Sequence, residues 1–491
     1  MNLSTSARPK QLHAGWTLLL PLIALTFYLY APPERRMVTA LISAPIYAFM
    51  QFVAPKCRPR LDHYLCPVNI ALFLLFLKLV VVPCLIMAVG AENRIITTLP
   101  SFRSMEGAIQ IDILAYIAFC VGLTLAPEGI IRPTSAMLTS ALSQSPSGPI
   151  VLIFAGLGIV GFAAAFGSPA RIVQYFLEPS AVVDIQQELD GTLFGLFGTI
   201  LRPFLAFSLV AWWSRISDQM EENSSIWRPT LVGVIAAVGI TIANLTFSFN
   251  RAAFVFPLIC LAATYSARIR LIPIGVTIIV AAAALPVLIA ISTYRSNLMA
   301  GAEGNQGNAS FAENVRETSE TLQAYSGGPQ FAALFYDRLG WGNTLYGGST
   351  LIASALGPVP IFGKSFRDTN GPALFNRAIY GAAGFEDQII PFDAELFANF
   401  HAPGVLAGFV LLGLFLSYAQ RLFAAAQSTF AAFSIQYASL WAAMLGAWSL
   451  SIFSQILIYF FVPIYFYLAT LQLRKWILGF DRGAGAIGAA R

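Results

Sequence analysis

The stretch Phe392-Asp393-Ala394-Glu395-Leu396-Phe397-Ala398-Asn399-Phe400-His401 leads through Ala402 and Pro403 into an apolar segment, residues 403–420, that carries no charge. It closes the only long run of ordinary soluble character in the chain, from roughly Thr293 to Pro403. Apolar segments flank that run on both sides. We read those segments as a membrane scaffold and the polar run as an insert presented by it, with the chemistry where the two meet.

Composition supports this division. The 491 residues are 57% hydrophobic and only 11% charged, with mean hydropathy +0.70, whereas soluble domains carry about 25% charged residues. A polytopic, all-α membrane protein is expected. Its net charge of +5 is accounted for by cytoplasmic loop bias, so no nucleic-acid partner is implied. Of five cysteines, Cys84, Cys120 and Cys260 fall in apolar segments and Cys57 and Cys66 share a short loop. Without a CxxC pair, neither disulfides nor zinc are expected, and no cofactor is implied.

A spanning helix needs about 20 mostly apolar residues. That criterion marks about twelve segments: 14–31, 37–54, 68–91, 108–126, 149–166, 190–213, 229–249, 252–267, 271–292, 403–420, 430–450 and 453–473. The first lacks a small-residue cleavage site and reads as a retained anchor. With the N-terminus inside, about fifteen Lys and Arg collect on the cytoplasmic side against about six in the opposite short loops. Both termini are then cytoplasmic. The organisation expected is residues 1–292 carrying nine spans with an outer loop at 167–189, a large outward loop at 293–402, and residues 403–491 carrying three spans and a tail.

Gly-Pro pairs at 328–329, 357–358 and 371–372 break the insert into pieces. Ser310-Phe311-Ala312-Glu313 has capping-box spacing, and Phe311, Val315, Thr318, Leu322 and Tyr325 follow at helical intervals. Gln330–Leu339 and Ala373–Tyr380 read as short amphipathic helices lying on the bilayer. The insert is too segmented for an independent domain and should pack on the mouth of the bundle.

Arg202 sits inside an apolar span, where a guanidinium is costly unless it faces a cavity or a partner. Arg171, Arg251 and Arg295 stand at outward ends of spans. Singly, each reads as an interfacial anchor. As a set on one side, with forked donors and permanent charge, they suit a diphosphate. Lys78 also lies inside a span, but its flexible stem can snorkel, and a structural role is expected. His401 is the only histidine expected outside, and Asp393 and Glu395 lie a few residues earlier. Imidazole or carboxylate could accept a proton from a sugar hydroxyl. Asp393-x-Glu395 alone is too few ligands for a metal site. Asp368, Glu386 and Asp387 read as solvated loop charges.

Two motifs carry a resemblance. Asn250-Arg251, between adjacent spans, is similar to the Ser/Asn-Arg turn of bacterial oligosaccharide repeat-unit polymerases, the Wzy-type family of O-antigen, capsule and exopolysaccharide synthesis. The stretch from Pro391 to Gly404 resembles that family's acidic and Asn-Phe-Gly segment entering a span, with His401 standing where a glycine is more usual. The resemblance implies a GT-C-like, metal-independent glycosyltransferase of the inner membrane with its active site facing the periplasm. Its substrates would be oligosaccharides on undecaprenyl diphosphate, with a flippase and a chain-length regulator as partners. Arg171, Arg202, Arg251 and Arg295 would hold the diphosphate, and Glu395, His401 or Asp393 would take the proton. An O-antigen ligase and, as the non-enzyme alternative, a lipid-linked oligosaccharide flippase or transporter share much of this pattern.

Overall fold

A computed structural model of the chain describes residues 9–54, 64–91, 99–126, 141–177, 192–220, 226–247, 251–280, 319–320, 322–360, 363–381 and 390–474. Among these residues all regular structure is helical. Six helices are long and apolar enough to cross a membrane: Pro67–Val89, Phe102–Leu125, Gly148–Phe166, Leu193–Asp218, Trp227–Leu245 and Phe392–Ala425. A seventh span arises if Leu450–Tyr459 and Val462–Arg474, bent by 49°, are taken together. The Gly148–Phe166 helix has mean hydropathy 2.3, yet only 28% of it is buried within the protein. Such an outward apolar face matches a hydrocarbon environment. The chain is an α-helical, multi-pass membrane protein.

Other segments expected to span form shorter or interrupted helices. Val38–Val53 has 16 residues, and Leu19–Tyr30 and Ala252–Arg268 also fall below a full crossing. The helix after residue 429 ends at Ala443 and tightens into a 3-10 turn, Met444–Gly446. Most of 271–292 lies outside the described residues.

The chain forms two compact units. The first comprises Met1–Glu128, Gly307–Gln420 and Ser439–Gln455; the second comprises Gly129–Gln306, Arg421–Ala438 and Ile456–Arg491.

In the first unit, the Phe102–Leu125 and Phe392–Ala425 helices cross where Gly122 faces Gly413. A Cβ on either glycine would strike the other helix's backbone, so the two main chains approach as closely as small residues allow. The Pro67–Val89 helix widens into a π-helical turn at Leu77–Val81. Pro83 lacks the N–H that would have bonded the Leu79 carbonyl, and the buried Ser43 hydroxyl donates to that carbonyl at 2.6 Å instead. The proline thereby distorts the helix without leaving a buried acceptor unpaired.

The insert's described residues belong to this first unit, and one of its helices lies in the core. The expected helix at Gln330–Leu339 forms as Pro329–Leu339, but every residue from Pro329 to Tyr336 is buried, and the helix packs along Phe102–Leu125. The surface-lying reading is therefore corrected. Phe331-Ala332-Ala333-Leu334-Phe335-Tyr336 is apolar all round and has no polar face to turn outward. Its one buried amide, Gln330, bonds Gln323 at 2.8 Å. Gly371–Tyr380 is amphipathic as expected, with Phe375 buried and Arg377 exposed. The helix expected after Ser310 lies mostly outside the described residues.

The second unit is built on aromatic packing. Phe154, Phe204, Phe207, Phe430, Phe433 and Tyr437 meet mostly edge to face. Gly158 and Gly161 seat the Leu201–Leu205 turn directly on the Gly148–Phe166 helix. Asp218 accepts hydrogen bonds from the backbone N–H and hydroxyl of Thr429, holding the N-terminus of the Thr429–Ala443 helix.

Candidate functional site

The Phe392–Ala425 helix opens with Asp393 and Glu395 in its first turn, where carboxylates complement the helix dipole. Both are fully buried, whereas a loop preceding a span would have left them solvated. Residues two apart on a helix point in different directions, and these two have different partners.

Asp393 Oδ1 lies 2.6 Å from Lys78 Nζ, and Asp112 Oδ1 lies 2.8 Å from the same ammonium. Lys78 is only 3% exposed, so the snorkelling reading is corrected: with two carboxylates within reach, the ammonium stays inside. One ammonium thus serves two carboxyl groups inside the unit. The buried Tyr336 hydroxyl has no hydrogen-bond partner among the described residues. Burial, reinforced by the Asp393 and Asp112 carboxylates, pushes the Tyr336 phenol well above its ordinary value, so it remains a neutral donor.

Glu395 belongs to a second network. Ser354 Oγ donates to Glu395 Oε1 at 2.5 Å and accepts from Gly371 N–H at 3.0 Å. Gly371 must be a glycine, because a Cβ there would run into the Glu395 carboxylate. One turn on, Asn399 ties the loop to the helix. It accepts from Gly348 N–H at 2.9 Å and donates to Thr350 Oγ1 at 2.6 Å. The two carboxylates thus serve separate networks and do not converge on a common ion.

His401 ends this first stretch. Its backbone, at φ 55° and ψ −153°, breaks the helix in a region that essentially only glycine occupies freely. Pro403 supplies the local reason for a break, since it cannot continue the hydrogen-bond ladder. A non-glycine residue held there costs about 1–3 kcal/mol. The imidazole packs edge-on against Phe397, with ring centroids 5.2 Å apart, and occupies the space a side chain on Gly342 would need. Among the described residues only one other non-glycine has positive φ: Trp341, the neighbour of Gly342. Trp341 packs on Tyr336 with centroids 4.9 Å apart and remains 37% exposed. The two strained residues therefore share one face of the unit.

The arginines belong to the second unit where they are described. Arg202 donates from Nε to the Gly198 carbonyl and from Nη1 to the Thr246 carbonyl, both at 3.0 Å. Its guanidinium sits 4.1 Å from the Phe247 ring centroid. Backbone oxygens and an aromatic face thus compensate its charge within the span. Arg171 is exposed on the Pro169–Leu177 helix. Arg251 begins the Arg251–Arg268 helix; its side chain, and Arg295 entirely, lie outside the described residues. Asp368 is exposed, as expected of a solvated charge, and Glu386 and Asp387 lie outside the described residues.

Reading the sequence for outer-loop chemistry passed over Asp112, Ser354 and Trp341. Asp112 had a usable signal: a lone aspartate in one span and a lone lysine in another each need a partner, and each is the other's solution. Ser354 and Trp341 had none, because a serine in a short helix and an aromatic in a loop are common in any chain. Comparison with known proteins finds no family model, no curated protein and no solved structure that matches this chain.

Proposed function

We propose that the chain polymerises oligosaccharide repeat units carried on undecaprenyl diphosphate, at the outer face of the bacterial cytoplasmic membrane. The twelve-span, GT-C-like arrangement with both termini cytoplasmic belongs to this reading. So do a flippase that delivers the substrate and a regulator of chain length. The observation that carries it is the state of His401. Of the three side chains able to take a proton, Asp393 is tied to Lys78 and Glu395 is enclosed, while His401 is partly exposed and held in a costly backbone conformation.

In the proposed step, a hydroxyl oxygen at the non-reducing end of one lipid-linked unit attacks the anomeric carbon of another. The bond from that carbon to the diphosphate oxygen breaks, and the hydroxyl proton passes to the His401 imidazole. The lipid diphosphate leaves, its developing charge stabilised by guanidinium groups. Arg171, Arg251 and Arg295 are proposed for that role. Arg202 joins them with whatever donors its bonds to Gly198 and Thr246 leave over.

Deleting the gene and resolving surface glycan and lipid-linked oligosaccharide by size tests the reading. Loss of long polymer with single repeats accumulating on the carrier supports it. Unchanged polymer sinks it, and long polymer stranded on the carrier assigns a ligase instead. A second reading, a proton-coupled carrier, is favoured by Lys78, Asp112 and Asp393 clustering inside apolar helices. Uptake of labelled glycan into vesicles, abolished by Asp112→Asn, would establish it.

A further inference from the structure

We infer that Trp341, Asp337 and His401 form a binding subsite for one neutral hexopyranose ring of a glycan chain. The subsite deepens the polymerase reading and rests on it for the source of the glycan.

The indole is fixed before any ligand arrives. Trp341 Nε1 donates to Asp337 Oδ1 at 2.6 Å, and Ser104 Oγ donates to the same oxygen at 2.8 Å. Beneath the ring, Gly107 provides the seat: a Cβ there would lie 2.6 Å from the indole Cη2. The Phe102–Leu125 helix thus carries the tryptophan directly on its backbone, and Tyr336 packs against the ring from the Pro329–Leu339 helix. A ring locked in this way loses little entropy on binding.

The indole is 37% exposed and so turns apolar ring surface outward. Around it stand polar groups of the kind a sugar edge requires. No described residue donates to the second oxygen of Asp337, which is exposed and can accept from a hydroxyl. The His401 imidazole sits beside Gly342, the next residue after Trp341. A pyranose has an apolar C–H face and a hydroxyl rim, so it meets both kinds of surface at once. A lipid tail would leave Asp337 unused.

Strain supplies the independent support. Trp341 at φ 51° and His401 at φ 55° are the only non-glycine residues with positive φ among those described, and the His401 ring lies against Gly342, the next residue after Trp341. Conformations of this kind persist where surrounding structure holds them and are concentrated at binding and catalytic sites. A glycine at 401 would remove the strain.

The test uses full-length protein in lipid nanodiscs and calorimetric titration. The probe is the oligosaccharide released by mild acid from the host's own lipid-linked glycans. Wild type should bind saturably, and Trp341→Leu should weaken binding about tenfold. Trp341→Phe, which keeps a flat ring, should stay within about threefold of wild type. His401→Gly should melt at a higher temperature and yet bind at least about threefold more weakly, a combination that a merely structural histidine would not produce. Absence of saturable binding, wild-type affinity in Trp341→Leu, or unchanged affinity in His401→Gly would each overturn the subsite. Binding reports on the subsite and polymer length on the reaction, so either can fail alone.

Discussion

Lys78 and Asp393 are 315 positions apart in the chain, and their ammonium and carboxylate meet at 2.6 Å. Asp112 comes to the same ammonium from a third helix. Three helices of the first unit are thus joined through one nitrogen. Replacing Lys78 by Met leaves two carboxylates buried without their cation, at a cost of about 3–5 kcal/mol. The expected outcome is a large drop in melting temperature in detergent. Combining Lys78→Met with Asp112→Asn and Asp393→Asn should recover more than half of it. A Lys78→Met protein as stable as wild type would show that the triad does not hold these helices.

Ser354 both donates to Glu395 and accepts from the Gly371 N–H, so its removal takes one hydrogen bond from each of two buried groups at once. Ser354→Ala should cost about 1–3 kcal/mol. In a double-mutant cycle with Glu395→Gln, the two changes should be non-additive by at least about 0.5 kcal/mol. Strict additivity would mean that the bond contributes nothing.

Gly342 and Gly347 form a controlled pair. Both have positive φ, so alanine strains the backbone at either position. Only at Gly342 does the new Cβ land where the His401 ring lies, and at Gly347 it meets open space. Gly342→Ala should abolish long polymer, while Gly347→Ala should destabilise modestly and leave polymer length unchanged. Equal polymer from the two variants would separate His401 from the reaction.

The arginines should divide by experiment into structural and substrate-binding groups. Arg202 bonds two carbonyls and lies over Phe247. A lysine cannot reproduce that fork, and Arg202→Lys should lose about 1–3 kcal/mol of stability. Arg171 is exposed, so Arg171→Ala should melt as wild type does, and it should lose polymer if it holds diphosphate. Normal polymer from Arg171→Ala would remove it from the set.

The sequence alone determined the class of the chain. Apolar runs with few charges can satisfy their backbone in a bilayer only as helices; the runs at 68–91 and 149–166 locate their helices to within a few residues, whereas the helix expected at 403–420 begins at Phe392. Two short helices of the insert, at 330–339 and 373–380, were also legible in the sequence while Ser349–Leu356 was not, and residue chemistry singled out Asp393, Glu395 and His401. What these side chains do was decided by tertiary structure. No local pattern near residue 393 indicates that Lys78 will neutralise it, because a buried charge is compensated by whichever element the fold brings alongside. The Pro329–Leu339 helix is apolar all round and went into the core, but that its wall would be the Phe102–Leu125 helix is nowhere written in its own sequence. His401 has meaning only through its backbone angles and through Gly342, and both are set by packing between a loop and a helix about sixty residues apart. Local propensity acts over a turn or two of chain, and a polar group inside a membrane protein is settled by partners that arrive from anywhere along it.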